Sequence, residues 1–298
     1  MRTFVTGATG WIGSAIVDEL MSAGHQVIGL ARSDEAEQTL TSKGAGVLRG
    51  DLDDLDSLRR GAAQADAVVH MANKHDWGNP AESDRSERAS VQALAETLVG
   101  TDRPFLVAAP ISGLVQGRSA TETDVSPAVG PHSNRGGSEN LALDYVPQGV
   151  RTMITRFAPS VHGPGDWGFV NFLVAAARKQ GVSGYIGDGS TTWSAVHRDD
   201  AARLIRLGLE KAPAGTRLHA ITEEAVTTKS IAEAIGRHLG LPVASIAPED
   251  AAAHFGFVAG FFATTMTATS DLTRQALAWT PTGPTLIEDI ETGAYTTA

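Results

Sequence analysis

The sequence predicts an α/β protein: a doubly wound parallel sheet with a smaller, mostly C-terminal substrate lobe. Short β-branched and aromatic runs alternate with stretches of helical apolar spacing, the pattern of parallel strands joined by crossover helices. The first of these units carries Gly7, Gly10 and Gly13 between a strand and a helix. The 298 residues are enough for one large core with a small lobe beside it.

"TFVTG" reads as the first strand, and "WIGSAIVDELMSAG" as a helix that ends at Gly24. "QVIGLA", "AGVLRG", "ADAVVHMA" and "PFLVAA" read as buried strands, with helices near 53–63 and 82–99. "GGSENLALDYV" reads as a helix and "VRTMITRFAP" as a strand. The rhythm then loosens. "GDWGFVNFLVAAARKQG" is a turn and a helix, and "YIGDGSTTWSAVHRDD" is turn-rich with short strands. "DDAARLIRLGLEK" is helical, with acids at its start and Asp199 as its expected cap. "TRLHAI" is a strand, "TTKSIAEAIGRHLG" a helix capped at Thr227 or Thr228, and "SDLTRQALAWTP" and "TLIEDIET" add helical pieces. The expected division is 1–160 as dinucleotide-binding core, with 190–220 returning to it, and 161–189 and 221–298 as the substrate-binding lobe.

A formal net charge of -10 and a pI of about 5.3 argue against nucleic acid and anionic membranes as partners. A chain without cysteine has no disulfide, no thiolate nucleophile and no cysteine metal site. No signal peptide is visible, and the apolar run at 251–263 is too short to span a bilayer. The expectation is a cytoplasmic protein with a small-molecule substrate.

The glycines give the first chemical reading. Without a Cβ, Gly7, Gly10 and Gly13 let backbone approach a pyrophosphate, and the N–H groups that open the helix face its oxygens. Thr6, Thr9, Trp11 and Ile12 complete the loop. After the second strand, where an acid reads a ribose 2′-hydroxyl, the chain has Ala31, Arg32 and Ser33. An arginine suits a 2′-phosphate, so NADP(H) is expected over NAD(H), unless Asp34 turns inward. Asp51 can accept from the adenine amino group with Leu52 over the ring, or can cap a helix.

Together "TGATGWIG", "GDLDD", "VVHMA", "ISGLVQG", "RFAPSVHGPGD", "AVHRDDAARL" and "LAWTP" resemble an extended short-chain dehydrogenase/reductase of the NAD(P)-dependent epimerase/dehydratase superfamily. The resemblance covers nearly the whole chain. It implies a Rossmann-like fold, possible dimerisation, Met71 and Ala72 against the cofactor, and Ser112, five residues before Gly117, as the group that polarises the substrate oxygen. It also implies a Tyr-x-x-x-Lys pair. With Glu139 matched to the glutamate that follows such a lysine, Arg135 takes the lysine position and Pro131 the tyrosine position. Proline has no proton to give. Arg135 can still contact a ribose, or pair at the surface with Glu139 one turn on.

The missing proton donor is sought among His75 beside Asp76, His132 in the altered segment, and Lys74 if burial lowers its pKa, in that order. His162 reads as part of a substrate-side loop and His197 as structural. No spacing suggests a metal. Trp77, Trp167, Phe169, Phe172, Tyr185, Trp193 and Phe255 are either core or pocket. The expected function is NADP(H)-dependent oxidoreduction of a carbonyl/alcohol pair, with Ser112 polarising the oxygen and a non-tyrosine donor. The alternatives are an epimerase/dehydratase and a catalytically silent NAD(P)-binding sensor or scaffold.

Overall fold

The computed structural model describes residues 1–76 and 78–295. Strand β1 (Arg2–Thr6) sends Phe4 into one apolar core and Val5 into another. The same split recurs in β4 (Ala67–His70) with Val68 and Val69, in β5 (Pro104–Pro110) with Phe105 and Leu106, and in β6 (Arg151–Phe157) with Ile154 and Met153. Successive side chains of a strand point to opposite faces, so near-continuous apolar runs mean a sheet covered on both sides.

With β2 (Gln26–Ala31), β3 (Gly46–Arg49) and β10 (Arg217–Ala220), these form a seven-stranded sheet ordered β3-β2-β1-β4-β5-β6-β10, with every pairing parallel. Helices α1 (Trp11–Ser22) and α7 (Arg198–Lys211) pack together, as do α3 (Leu55–Gln64) and α4 (Pro80–Leu98), with α5 (Ser138–Leu143) against α4. Strand order reverses between β1 and β4. The crevice for a ligand therefore opens above their carboxyl ends.

Apart from the main sheet there are a three-stranded sheet of β7 (Ser160–His162), β9 (Thr192–His197) and β11 (Glu223–Thr227), and a parallel pair of β8 (Ser183–Ile186) with β12 (Val243–Ile246). Helices α6 (Phe169–Gln180), α8 (Thr228–Leu239), α9 (Ala251–Phe255), α10 (Ala259–Phe262), α11 (Asp271–Leu277) and α12 (Leu286–Glu291) follow in the second half of the chain, with α11 against β10 and α7. Within 190–220, β10 joins the main sheet and α7 packs against it beside α1, while β9 lies in the three-stranded sheet. Among the described residues no helix is long and apolar enough to cross a membrane.

Several local expectations are corrected. A helix at α2 (Asp34–Ser42) stands between β2 and β3, where the sequence signal is weak because Leu40 is its one buried residue. The cap of α7 is His197, whose Nδ1 accepts from the Asp199 N–H at 3.3 Å, and Asp199 is already inside the first turn. Thr227 caps α8. The helix expected at "GGSENLALDYV" is confined to α5, and Tyr145 falls beyond its end. Asn134–Gly137 forms a 3-10 turn instead. In it Arg135, Gly136 and Gly137 lie at φ 52°, 61° and 63°, the left-handed region. A Cβ on Gly136 would sit 2.5 Å from the Asp84 carbonyl oxygen of α4.

Candidate active site

The glycine loop is fixed by close approach. A Cβ on Gly13 would stand 2.0 Å from the Gly7 carbonyl oxygen, and one on Gly7 would stand 2.8 Å from the Ala72 nitrogen. Gly10 caps α1 with no side-chain bond, so the first N–H groups of α1 have no side-chain cap. That combination of bare backbone and open helix terminus fits a dinucleotide pyrophosphate. Trp11 turns its ring away: its Nε1 donates to the Val161 carbonyl at 2.7 Å, and the Arg198 guanidinium lies 4.2 Å over it. Ile12 packs against the core, and Thr9 is exposed at the loop tip.

The Thr6 side chain is not available for a cofactor. It is fully buried, and its Oγ1 accepts from the N–H groups of Met71 and Ala72, both at 3.2 Å. Its proton then faces His70 Nδ1 at 2.8 Å. These bonds hold the end of β4, with Met71 and Ala72, beside Gly7.

At the other end of the crevice Arg32 is exposed, with no ion-pair partner among the described residues. Ser33 Oγ caps α2 by accepting from the Ala36 N–H at 3.2 Å. Asp34 is outside this arrangement, 3.2 Å from Arg49. Asp51 Oδ1 accepts from the N–H groups of Asp53 and Asp54 at 2.8 and 3.0 Å, while Asp54 is the cap of α3. Leu52 is half-buried next to it.

Ser112 and Arg135 line one cavity of about 300 Å³ at the carboxyl edge of β5, with Asn134, Ser138 and Glu139. The Ser112 hydroxyl has no hydrogen-bond partner among the described residues and is half-buried. Arg135 does not pair with Glu139, as the surface alternative had it. Its Nη2 donates instead to Glu87 Oε1 of α4 at 2.7 Å. Glu139 takes Arg156, 0% exposed, which donates to both its oxygens from β6, with Arg217 at 3.4 Å. Glu87 was not visible as a site residue, because nothing in an amphipathic helix announces that one of its acids is buried.

The candidate proton donors separate. His132 and His75 are both exposed and outside the cavity lining, and of the two only His75 is linked by hydrogen bonds, through Asn73 and Glu87, to the cavity residue Arg135. Lys74 is the reverse of the expectation: Asp53 at 2.7 Å and Glu82 at 3.4 Å raise its pKa above the usual lysine value. His75 is an exposed residue, yet its ring is desolvated enough to lower its pKa, and the Arg135 charge lowers it further. Its backbone is left-handed at φ 48°, and its N–H donates to Asn73 Oδ1 at 2.9 Å. No tyrosine lines the cavity. Tyr145 is buried beyond α5, Tyr185 lies in β8, and the Tyr295 hydroxyl donates to Asp166 Oδ2 at 2.8 Å.

The aromatic residues singled out from the sequence divide between core and surface. Trp193 and Phe255 are core, Trp193 donating to the carbonyls of Phe261 and Thr264. Trp167 and Phe172 are exposed, and Phe169 and Tyr185 are half-buried. Trp77 lies outside the described residues. His162, expected in a substrate-side loop, is fully buried with Nδ1 at 2.6 Å from Asp289.

Comparison with known proteins gives the lineage. The family model for the NAD dependent epimerase/dehydratase family matches residues 3–221. An uncharacterized protein of Schizosaccharomyces pombe is 43% identical over 295 residues, 99% of this chain and 100% of that one. A 2-alkyl-3-oxoalkanoate reductase of Stenotrophomonas maltophilia is 30% identical over 68% of this chain and 63% of its own. Among solved structures, the UDP-glucuronic acid 4-epimerase of Bacillus cereus in complex with NAD superposes with a TM-score of 0.78 at 19% identity, covering 100% of this chain and 99% of that one. With this glycine loop, this strand order and these relatives, the chain belongs to the NAD dependent epimerase/dehydratase family.

Proposed function

We propose that the protein is an NADP(H)-dependent oxidoreductase acting on a carbonyl/alcohol pair whose substrate carries no diphosphate. One observation carries the reading. The Ser112 hydroxyl, without a protein partner, faces a cavity whose one lining cation among the described residues, Arg135, is already neutralised by Glu87. Such a lining suits a neutral oxygen that needs a hydrogen bond, and has no free charge to clamp a sugar diphosphate. The likeness to reductases of 3-oxoalkanoates points the same way, whereas the epimerase neighbour shares the fold at 19% identity.

When bound, the nicotinamide supplies or accepts the hydride. The α1 terminus with Gly7, Gly10 and Gly13 holds the pyrophosphate, Arg32 and Ser33 the 2′-phosphate, and Asp51 and Leu52 the adenine. Met71 and Ala72 line the path to the reaction centre. Ser112 Oγ donates to the substrate oxygen, and an imidazole nitrogen of His75 gives that oxygen its proton on reduction or removes it on oxidation. Because the His75 pKa lies below its ordinary value, reduction weakens and oxidation strengthens as pH rises through it.

Loss of NADPH on addition of 2-alkyl-3-oxoacids and neutral ketones tests the reading. Ser112→Ala should lower kcat about 100-fold with NADPH affinity intact. Unchanged turnover in that variant overturns the serine's role. Absence of turnover across the panel, with NADPH bound tightly, favours a sensor. Tightly held NAD with epimerisation of a nucleotide sugar favours the epimerase alternative.

A further inference from the structure

Glu87 is 1% exposed, and each of its oxygens faces a different piece of the site. Oε1 accepts from Arg135 Nη2 at 2.7 Å, and Oε2 accepts from Asn73 Nδ2 at 3.0 Å. The amide oxygen of Asn73 in turn accepts the His75 N–H at 2.9 Å. His75, Asn73, Glu87 and Arg135 therefore form one unbroken chain of hydrogen bonds across the carboxyl edge of the sheet. Both ends of it are strained: His75 and Arg135 are non-glycine residues at φ 48° and 52°. Such conformations persist only where surrounding bonds over-determine them.

The carboxylate is charged where it sits. Burial opposes its charge, but the Arg135 guanidinium outweighs that, with further bonds from Arg135 and Asn73, and its pKa stays below the ordinary glutamate value. A plain tether between α4 and the turn before α5 would need only the hydrogen bonds. The charge has a further effect, because Glu87 and Arg135 act on the His75 imidazole with opposite signs.

We propose that Glu87 is the positioning residue of the reaction centre: its single carboxylate fixes the His75 turn through Asn73 and fixes Arg135 directly, so the groups standing in for the absent tyrosine and lysine are held as one unit. The inference rests on His75 as the proton donor of the reaction proposed above. Other charges nearby are engaged elsewhere. Lys74 is taken by Asp53 and Glu82, and Asp76 accepts the N–H groups of Gly78 and Asn79. His70 faces Glu87 from β4 and is bonded through Nδ1 to Thr6.

The test reads His75 without substrate, by NMR titration of the histidines in the whole protein, its resonance assigned by loss in His75→Asn. In Glu87→Gln the charge that supports imidazolium is gone while Arg135 remains, so the His75 midpoint should fall by roughly one unit. The alkaline limb of carbonyl reduction should move with it. In Glu87→Gln/Arg135→Gln both charges are gone. That pair leaves no unpaired buried ion to unfold the protein, and the midpoint should return to within a few tenths of a unit of wild type. A midpoint that stays put or rises in Glu87→Gln, or a double variant no different from the single one, overturns the role of Glu87. A wild-type protein that shows the expected titrations but no turnover leaves the electrostatic coupling standing and sinks the oxidoreductase reading instead.

Discussion

Arg32 follows β2 with no ion-pair partner among the described residues, and the nearest acid along the chain, Asp34, lies against Arg49. A planar cation left free beside the expected ribose is the main local support for a 2′-phosphate. Ser33 adds to it, because a hydroxyl that accepts from the Ala36 N–H still has its own proton to donate. Arg32→Ala should therefore weaken NADPH binding about 10- to 100-fold, the worth of one charge-assisted hydrogen bond, and leave NADH nearly untouched. The ratio of kcat/KM for the two cofactors, or their dissociation constants by fluorescence, measures it. Equal losses with both cofactors would put Arg32 outside the cofactor site. Arg32 was readable from its place after a strand, whereas the side-chain bonds of Thr6 were not. A threonine in a glycine loop looks like a ligand residue until its partners, Met71 and Ala72 from β4, come into view.

At the scale of elements, one fully buried side chain ties the end of β6 to three neighbouring segments. Arg156 donates to both oxygens of Glu139 on α5, to the Asp124 carbonyl at 2.7 Å, and to His219 on β10 at 3.3 Å. Removing it leaves the Glu139 carboxylate buried with Arg217 as its remaining cation. Arg156→Met should cost about 3 kcal/mol, measured by urea unfolding, and adding Glu139→Gln should restore part of that. If Arg156→Met is neutral, the pair does not anchor β6. The strands were legible because their apolar runs serve two cores at once. The α2 helix was not, since a short polar segment with one buried residue has almost no period. The break before α5 left a trace in the two glycines of "NRGG", but the reason for it is tertiary. Gly136 lies against the Asp84 carbonyl of α4, so no side chain fits and no regular helix begins there. That same unwinding removes Arg135 from the helix face a Tyr-x-x-x-Lys pair would share and aims it at Glu87.

Across the whole molecule, the main sheet buries two histidines that the fold keeps neutral. His70 is 1% exposed and His219 0%. The Thr6 hydroxyl, already accepting two N–H groups, gives its proton to His70 Nδ1. Arg156 has only protons to offer His219 Nε2, so the His219 proton is on Nδ1, facing the Thr269 carbonyl at 2.8 Å. Burial holds both pKa values below the ordinary histidine value. In the unfolded chain both imidazoles take up protons near pH 6.5, and in the fold they do so only at lower pH. The unfolded state therefore binds more protons in that window, and stability falls as pH drops below about 6.5, by at most about 1.4 kcal/mol per unit for each histidine. A buried and a half-buried carboxyl work the other way. Burial raises the pKa values of Asp166 and Glu223, so their contribution is present at low pH and is lost as pH rises through the raised values. Glu87 and Asp124, with lowered pKa values, lose theirs only as pH falls below the ordinary carboxyl range. Unfolding free energies at pH 7, 6 and 5 should therefore decline, and the decline should be shallower in His219→Gln, whose amide can donate to Thr269 and accept from Arg156. A variant slope equal to wild type, or stability that increases toward pH 5, would mean that Asp166 and Glu223, and not the neutral histidines, govern the acid response of the fold.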